Sequence, residues 1–323
     1  MRVLVTGGAG YIGSVCAERL LDGGHEVTVL DNLSEGHRSA VDGRARFIRA
    51  DLAEGARIAE FVRQSGAEAI IHFAANALVG ESMTDPGKYF RNNVASGLNL
   101  LDAAVAAGVR KFVFSSTCAT YGIPERIPIT DDLPQRPVNP YGESKLMFEK
   151  ILGWYRRIHG LEFVAFRYFN AAGASRRFGE HHRIETHLIP NILKVALGQA
   201  PHCEIFGTDY PTPDGTCVRD YIHVVDLADA HILALRPGIE GCFNLGTGAG
   251  YSVREVIRGC EQVAGRSIRA VEKPRRPGDP PQLVASAART REVLGWAPSG
   301  SGLLEIVESA WTWHRDHPTG YPD

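Results

Sequence analysis

The sequence lacks the features that would assign it to a membrane, a nucleic acid or an oxidising compartment. No apolar run approaches the roughly 18 residues of a spanning helix. Met1-Arg2-Val3-Leu4-Val5-Thr6 runs directly into glycine-rich sequence without the apolar core of a signal peptide. Neither sign of charge is in excess: 35 basic against 37 acidic side chains leave a formal charge of -2, so nothing global attracts a polyanion and any anion site must be local. Cysteine is sparse, and the six present (Cys16, Cys118, Cys203, Cys217, Cys242 and Cys260) form no Cys-x-x-Cys pair, which argues against a zinc knuckle and a disulfide framework. Internal repeats and low-complexity tracts are absent as well. The expectation is a cytoplasmic protein with no metal, nucleic-acid or membrane partner.

What the chain does have is a strand and helix rhythm. Short runs that are apolar on consecutive residues recur at Val3 to Val5, Val27 to Leu30, Phe47 to Ile48, Ala69 to Phe73, Phe112 to Phe114 and Phe163 to Phe166. That pattern suits strands covered on both faces, as in a parallel sheet. Between them, Val15 to Leu21 and Ala95 to Val105 space apolar groups three and four apart, as helices packed on a sheet require. The alternation predicts an α/β fold with a doubly wound, Rossmann-type parallel sheet over residues 1–172. Beyond Ala172, proline and glycine become frequent and the signals shorten. Residues 173–323 are therefore expected to form mainly a smaller mixed domain, with some segments returning to the first. An amphipathic stretch, Leu303 to Trp313, is expected to pack through Leu304, Val307 and Trp311.

Chemistry enters with the first turn. Gly7, Gly10 and Gly13 give a Gly-x-x-Gly-x-x-Gly spacing between the first strand and the first helix. Such glycines serve a turn with positive φ, close approach of a pyrophosphate, and tight packing of helix on strand, and the free N–H groups of the helix end attract the phosphates. Asp31, about twenty residues on, is placed to accept the adenosine ribose hydroxyls; the alternative is a turn residue paired with Asn32. No arginine occupies positions 32 or 33, which favours NAD over NADP, although Arg38 is close. Asp51 has the polarity to meet an adenine amino group or to cap a strand end. Further on, Ser115-Ser116-Thr117 ends a strand and Tyr141-Gly142-Glu143-Ser144-Lys145 opens a helix after Pro140. The i, i+4 spacing puts Tyr141 and Lys145 on one face. A phenol titrates near pH 10, so its use as a base near pH 7 needs its pKa lowered by roughly three units, about 4 kcal/mol. An adjacent ammonium and a cationic nicotinamide ring are expected to do this. Tyr-x-x-x-Lys also occurs on ordinary helix surfaces; the glycine loop and the Ser-Ser-Thr strand end give it catalytic meaning.

These motifs resemble the extended short-chain dehydrogenase/reductase superfamily. Other segments, among them Val79-Gly80-Glu81-Ser82, Arg167-Tyr168-Phe169-Asn170, Val218 to Val224 and His317 to Tyr321, are similar more narrowly to its UDP-glucose/UDP-galactose 4-epimerases, and the resemblance runs to Pro322-Asp323. It implies an isomerase in which Tyr141 is general base and acid, Thr117 its hydroxyl partner, and Lys145 the group that tunes the phenol and holds the nicotinamide ribose. It further implies that Tyr11, Ile12, Asp31, Asn32, Asp51, Leu52, Phe73, Ala74, Ala75, Asn92 and Tyr168 line an NAD site. One NAD contact is missing where some relatives have Lys and this chain has Ala77. A UDP-sugar would be held by Arg219 and Arg276, whose guanidinium forks match phosphate oxygens, with Asn170, His187, Leu188, Phe206 and Asp279 around it. His187 stands where some relatives carry an amide. Leu283 replaces a bulky tyrosine of some relatives and opens the question of N-acetylated sugars. His223 reads as structural.

Rival readings share the fold. A 4,6-dehydratase would carry Asp-Glu after the strand-end threonine, where this chain has Cys118-Ala119. A glucuronate 4-epimerase, a UDP-N-acetylglucosamine 4-epimerase, or a decarboxylase starts with the same oxidation at C4. A non-catalytic NAD-sensing regulator would not need Tyr141 and Lys145. The resemblance also implies a homodimer through the helices at Ser96 to Ala107 and Tyr141 to Ile158.

Overall fold

The computed structural model describes residues 1–276 and 278–322. Pro277, in the segment expected to meet the diphosphate, and the terminal Asp323 lie outside the described residues. Along the first half run β1 (Arg2–Thr6), α1 (Tyr11–Asp22), β2 (Glu26–Asp31), β3 (Arg46–Arg49), α2 (Gly55–Ser65), β4 (Ala69–His72), two single turns α3 (Val79–Ser82) and α4 (Pro86–Tyr89), a π-helical stretch Phe90–Ala95 leading into α5 (Ser96–Ala106), β5 (Lys111–Thr117), α6 (Pro140–His159), β6 (Glu162–Tyr168) and β7 (Asn170–Ala172). The second half holds α7 (Leu188–Ala196), β8 (Cys203–Phe206), β9 (Val218–His223), α8 (Val224–Leu233), β10 (Gly241–Leu245), β11 (Gly250–Ser252), α9 (Val253–Ala264), β12 (Ala270–Lys273), β13 (Gln282–Leu283), α10 (Ala288–Leu294) and α11 (Leu303–Asp316).

Seven strands form one parallel sheet in the order β10-β6-β5-β4-β1-β2-β3. The consecutive apolar residues follow from burial of both faces. Val3, Val5, Val27, Val29 and Ile71 enter one core with Val15 and Leu20 of α1 and Leu227 of α8. Leu4, Leu30, Ile70, Phe112 and Phe114 enter the other with Ile58 of α2, Leu100 of α5 and Phe148 of α6. Neighbouring side chains on a strand point to opposite faces, so both must be apolar when helices cover both sides. The order reverses between β1 and β4, which opens a crevice at the carboxyl ends of these strands, where doubly wound folds bind nucleotides.

The seventh strand, β10, comes from beyond residue 172 and pairs in register with β6 from Gly241 opposite Val164 to Leu245 opposite Tyr168. The remaining strands make two small sheets: β9 between β11 and β13 with β7 alongside, and β8 with β12. A third core beneath them joins Ile192 and Leu193 of α7, Val256 of α9, and Ile306 and Val307 of α11. The face of α11 differs from the expectation. Ile306, Val307, Ala310, Trp313 and His314 are buried, while Leu304 and Trp311 lie at the margin, because the helix is clasped on one flank by α7 and α9 and on the other by the Gly179 loop and Tyr321.

Candidate active site

The glycine loop is built as a cradle. Gly7 has φ 72°, and a Cβ there would lie 2.5 Å from the Ala74 backbone nitrogen; a Cβ on Gly13 would lie 2.2 Å from the Gly7 carbonyl oxygen. Gly10 is different: its nearest neighbour would be at 3.4 Å, and as N-cap of α1 it offers no side chain to the helix end. The first intrahelical bond of α1 runs from the Ser14 N–H to the Gly10 carbonyl at 2.9 Å, so the N–H groups of Tyr11, Ile12 and Gly13 precede it and suit an external acceptor. At the crevice wall, Phe73, Ala74 and Ala75 leave β4, with Phe73 and Ala74 donating their N–H groups to the Thr6 carbonyl. Asp31 is buried and accepts from the Ala9 N–H at 3.0 Å and the Leu33 N–H at 2.8 Å. Burial raises its pKa against those two bonds. Asn32 donates to Asp51 at 2.8 Å, and Asp51 also accepts from the Ala53 N–H at 2.8 Å. Leu52 is buried beside them, and Arg38 lies over the Phe47 ring at 4.6 Å. These groups fit a dinucleotide: helix-end donors and glycine space for a pyrophosphate, carboxylates for ribose and adenine.

The Tyr11 hydroxyl donates to the Gly173 carbonyl at 2.6 Å. Asn92 donates to Asn93 at 3.0 Å, and buried Asn93 in turn donates to Ser144 of α6 at 3.0 Å. This chain of amides ties the π-helical stretch to the helix that carries the tyrosine and lysine. Tyr168 is hydrogen-bonded to Ser115, and its burial raises its pKa.

Local sequence starts α6 where the chemistry needs it. Asn139 caps it by accepting from the Gly142 N–H at 2.8 Å, and Pro140 fits the first turn. Tyr141 and Lys145 then face the end of β5. The ammonium donates to the Ser115 carbonyl at 2.7 Å, sits 4.8 Å from the Phe114 ring centre, and is 6.0 Å from that of Tyr141. Thr117, at the strand end, pulls the Tyr141 phenol's pKa down by hydrogen bonding. The electrostatics differ from the sequence expectation. Burial pushes the phenol up to about 12, with Cys118 adding to it and Thr117 only partly offsetting it. Burial likewise pushes Lys145 down to about 7, opposed by Glu149. The protein alone thus favours a neutral phenol, and the lysine by itself does not reverse the cost of desolvation.

In the second half, Asp220 organises the loops beside β9. It accepts from the Thr247 N–H at 2.9 Å and from the Gly248 and Ala285 N–H groups at 3.0 Å each, joining two loops to β9. Next to it, Arg219 donates to Asp279 at 2.5 Å; burial lowers the guanidinium's pKa, but Asp279 holds it above its usual value. Leu283 is the register partner of Arg219 and, with Cys118, packs on the cluster of Tyr121, Ile129 and Phe169. That cluster joins the Arg219 region to the end of β5. Arg276 lies 3.9 Å over the Phe206 ring, and Asn170 donates to the Asp220 carbonyl at 2.9 Å. His223 bonds Ser309 at 2.9 Å and accepts from the Val225 N–H at 3.1 Å, a structural position at the start of α8.

Three features escaped the sequence reading. Leu33, just past Asp31, has φ 64°, an uncommon conformation for a residue with a branched side chain. Arg167 and Glu149 form a buried ion pair at 2.7 Å that also holds Ser116 and Tyr121 behind the catalytic strand; the Arg167 motif was visible, its partner was not. His187 precedes Leu188 at the start of α7, but its imidazole faces Glu180 and Glu185 at 3.0 Å each. Burial alone would lower its pKa, yet these carboxylates hold it up at about 10.

A sequence model of the NAD dependent epimerase/dehydratase family matches residues 3–246. The chain belongs to that family. Its relatives cover its whole length. A UDP-glucose 4-epimerase of Lacticaseibacillus casei is 50% identical over 329 residues, covering 100% of this chain and 99% of the relative. The crystal structure of UDP-glucose 4-epimerase from Brucella ovis in complex with NAD superposes with a TM-score of 0.93 at 46% identity, covering 96% of this chain and 97% of that one. That from Bifidobacterium longum in complex with NAD+ and UDP gives 0.94 at 38% identity, covering 99% of each. Among the described residues no helix is long and apolar enough to cross a membrane, and all six cysteines are free thiols.

Proposed function

We propose that this enzyme interconverts UDP-glucose and UDP-galactose, using NAD to oxidise C4 of the hexose and then reduce it from the opposite face. The observation that carries this reading is the meeting of Tyr141, Thr117 and Lys145 at the carboxyl end of β5, beside the strand-order reversal and the Arg219 wall. When bound, oxidised NAD supplies a cationic nicotinamide ring that accepts the C4 hydride and gives it back. The chain's residues handle everything else. Tyr141 removes the 4-hydroxyl proton as the C4–H bond breaks, leaving a ketone, and returns the proton when hydride comes back. Thr117 bonds the same hydroxyl, and Lys145 holds the nicotinamide ribose. The dinucleotide site comprises Gly7, Gly10, Gly13, the Tyr11 and Ile12 backbone, Asp31, Asn32, Asp51, Leu52, Phe73 to Ala75, Asn92 and Tyr168. Arg219 and Arg276 fix the diphosphate while the ketosugar turns over on its tether, with Asn170, Leu188, Phe206 and Asp279 around the nucleotide and His187 at the edge of α7. Residues 173–323 thus make up most of the UDP-sugar side.

Cys118 supports epimerisation over dehydration. Burial pushes its thiol up to about 12, so it is a poor acid for expelling a hydroxyl. Leu283 favours a second, broader reading in which the N-acetyl forms of the same sugars are also epimerised, because a leucine leaves room that a tyrosine would fill. The exposed stripe Met147, Trp154 and Ile158 along α6 supports a homodimer through α5 and α6. The deciding experiment is Tyr141→Phe with retained dinucleotide. Loss of a proton shuttle should cost on the order of 10² to 10⁴ in kcat, and substrate should no longer reduce the bound NAD. Near-normal inversion by the phenylalanine variant would end the proposal.

A further inference from the structure

The loop between β7 and α7 gathers four side chains of one coordination chemistry. Glu180, His182, Glu185 and His187 each bring one ligand atom, all within 4.8 Å of one another. His187 Nδ1 lies 3.0 Å from both Glu180 Oε1 and Glu185 Oε1, and His182 Nδ1 lies 3.2 Å from Glu185 Oε2 and 3.5 Å from Glu180 Oε1. Two imidazole nitrogens are thus turned inward on two carboxylates.

The second observation is Glu180 itself. Its side chain is 4% exposed, and Oε1, aimed into the cluster, meets the two imidazole nitrogens at 3.0 and 3.5 Å without hydrogen-bond alignment. A buried carboxylate oxygen whose neighbours are misaligned for hydrogen bonding costs stability unless something better placed fills its demand. Once a metal displaces any imidazole protons, two imidazoles and two carboxylates neutralise a divalent cation, and their mixed N/O character suits zinc. Tetrahedral zinc bonds of about 2.0–2.2 Å put ligand atoms some 3.4 Å apart, so modest side-chain movement closes the present spread. His187 is exposed, which gives an ion a way in.

We propose that Glu180, His182, Glu185 and His187 form a binding site for a zinc-type divalent ion. Its role would be to pin the strap between β7 and α7. That strap already touches the dinucleotide half twice. His182 stands edge-on to Tyr11 at 6.2 Å between ring centres, and Arg183 donates to the Ser34 carbonyl at 2.9 Å and to those of Leu33 and Gly36 at 3.3 Å. A metal there would couple the turn after Asp31 to the first turn of α7.

The test uses the full chain after chelation and desalting, titrated with zinc alone. The expected result is a single equivalent bound per chain and a rise in melting temperature, with affinity reduced more than ~100-fold in a Glu180→Gln/His182→Ala double variant. Cobalt added to the chelated wild type checks the donors without relying on a variant. The d–d bands of a four-coordinate N/O site are expected, and a thiolate charge-transfer band would overturn the proposal by pointing to the cysteines. So would failure of the wild type to bind zinc, or full binding by the double variant.

Discussion

Replacing Lys145 by methionine removes a buried amine that, when protonated, sets a unit charge near the Tyr141 ring. At 6.0 Å from the Tyr141 ring centre and an effective dielectric near 20, a unit charge stabilises the phenolate by about 3 kcal/mol. That is about two pKa units. Burial sets the phenol at about 12 in the protein alone, Lys145 included, so the lysine does not suffice and the cationic nicotinamide must supply most of the remaining shift. The acid limb of the kcat–pH profile should therefore move up by about two units in Lys145→Met, with a loss of about 100-fold at pH 7. Conversion of UDP-galactose, coupled to oxidation of the UDP-glucose formed, reads kcat, and it should be normalised to dinucleotide retained so that weakened cofactor binding is not mistaken for slow proton transfer. Lys145→Arg keeps the charge and should bring the limb back toward the wild-type position. An acid limb that stays within half a unit while kcat falls would refute the electrostatic role and leave Lys145 as a ribose anchor only.

Arg219→Met should raise KM for the UDP-sugar far more than it lowers kcat, since in the proposed site the guanidinium grips the part of the substrate that does not react; an unchanged KM would remove Arg219 from the diphosphate site. Leu283→Tyr should abolish turnover of UDP-N-acetylglucosamine while sparing UDP-glucose, as seen by product chromatography; equal loss of both would show that position 283 does not sort the sugars. Acid should unfold the protein through its neutral buried histidines. Burial pushes His231 and His314 down to about 4 and, helped by the Lys145 charge, His72 to about 3. Unfolded histidines take up protons below about 6.5, so the unfolded state binds more protons, and stability is full above that pH and lost on descent toward 4, about 3 kcal/mol per group. Urea midpoints at pH 7 and 4.5 measure this, and His231→Gln should flatten the slope.

The fold was legible because its signals are local. Val3 and Leu4 are both apolar since one faces α1 and the other α2, and a doubly covered strand cannot be written any other way. The glycine loop, the Asn139-Pro140 start of α6 and the Tyr141–Lys145 spacing all act within a few residues. What stayed hidden depends on partners far along the chain. Arg219 meets Asp279 sixty residues away, Glu149 finds Arg167 on a different element, and β10 joins β6 from a region that reads as irregular. The α11 face shifted for the same reason: the helical period marks which residues are apolar, but contacts with α7, α9 and Tyr321 decide which of them are covered.

Spacing also left the sign of the electrostatics open. Tyr141 and Lys145 one turn apart look like a base and its activating cation, yet burial drives both toward neutrality, the phenol upward and the ammonium downward. The two effects have one cause, the dry crevice wall, and each is relieved by the other's ionisation, because a phenolate favours the ammonium and an ammonium the phenolate. A cation delivered to the crevice favours the phenolate, and the phenolate in turn favours the ammonium. Proton abstraction is then tied to dinucleotide binding, so the protein without its cofactor holds a resting phenol and not a misplaced base. The same coupling makes the acid limb of the rate profile a property of Tyr141 and Lys145 together, which is why the lysine variant, and not the tyrosine variant, reports how the base is made.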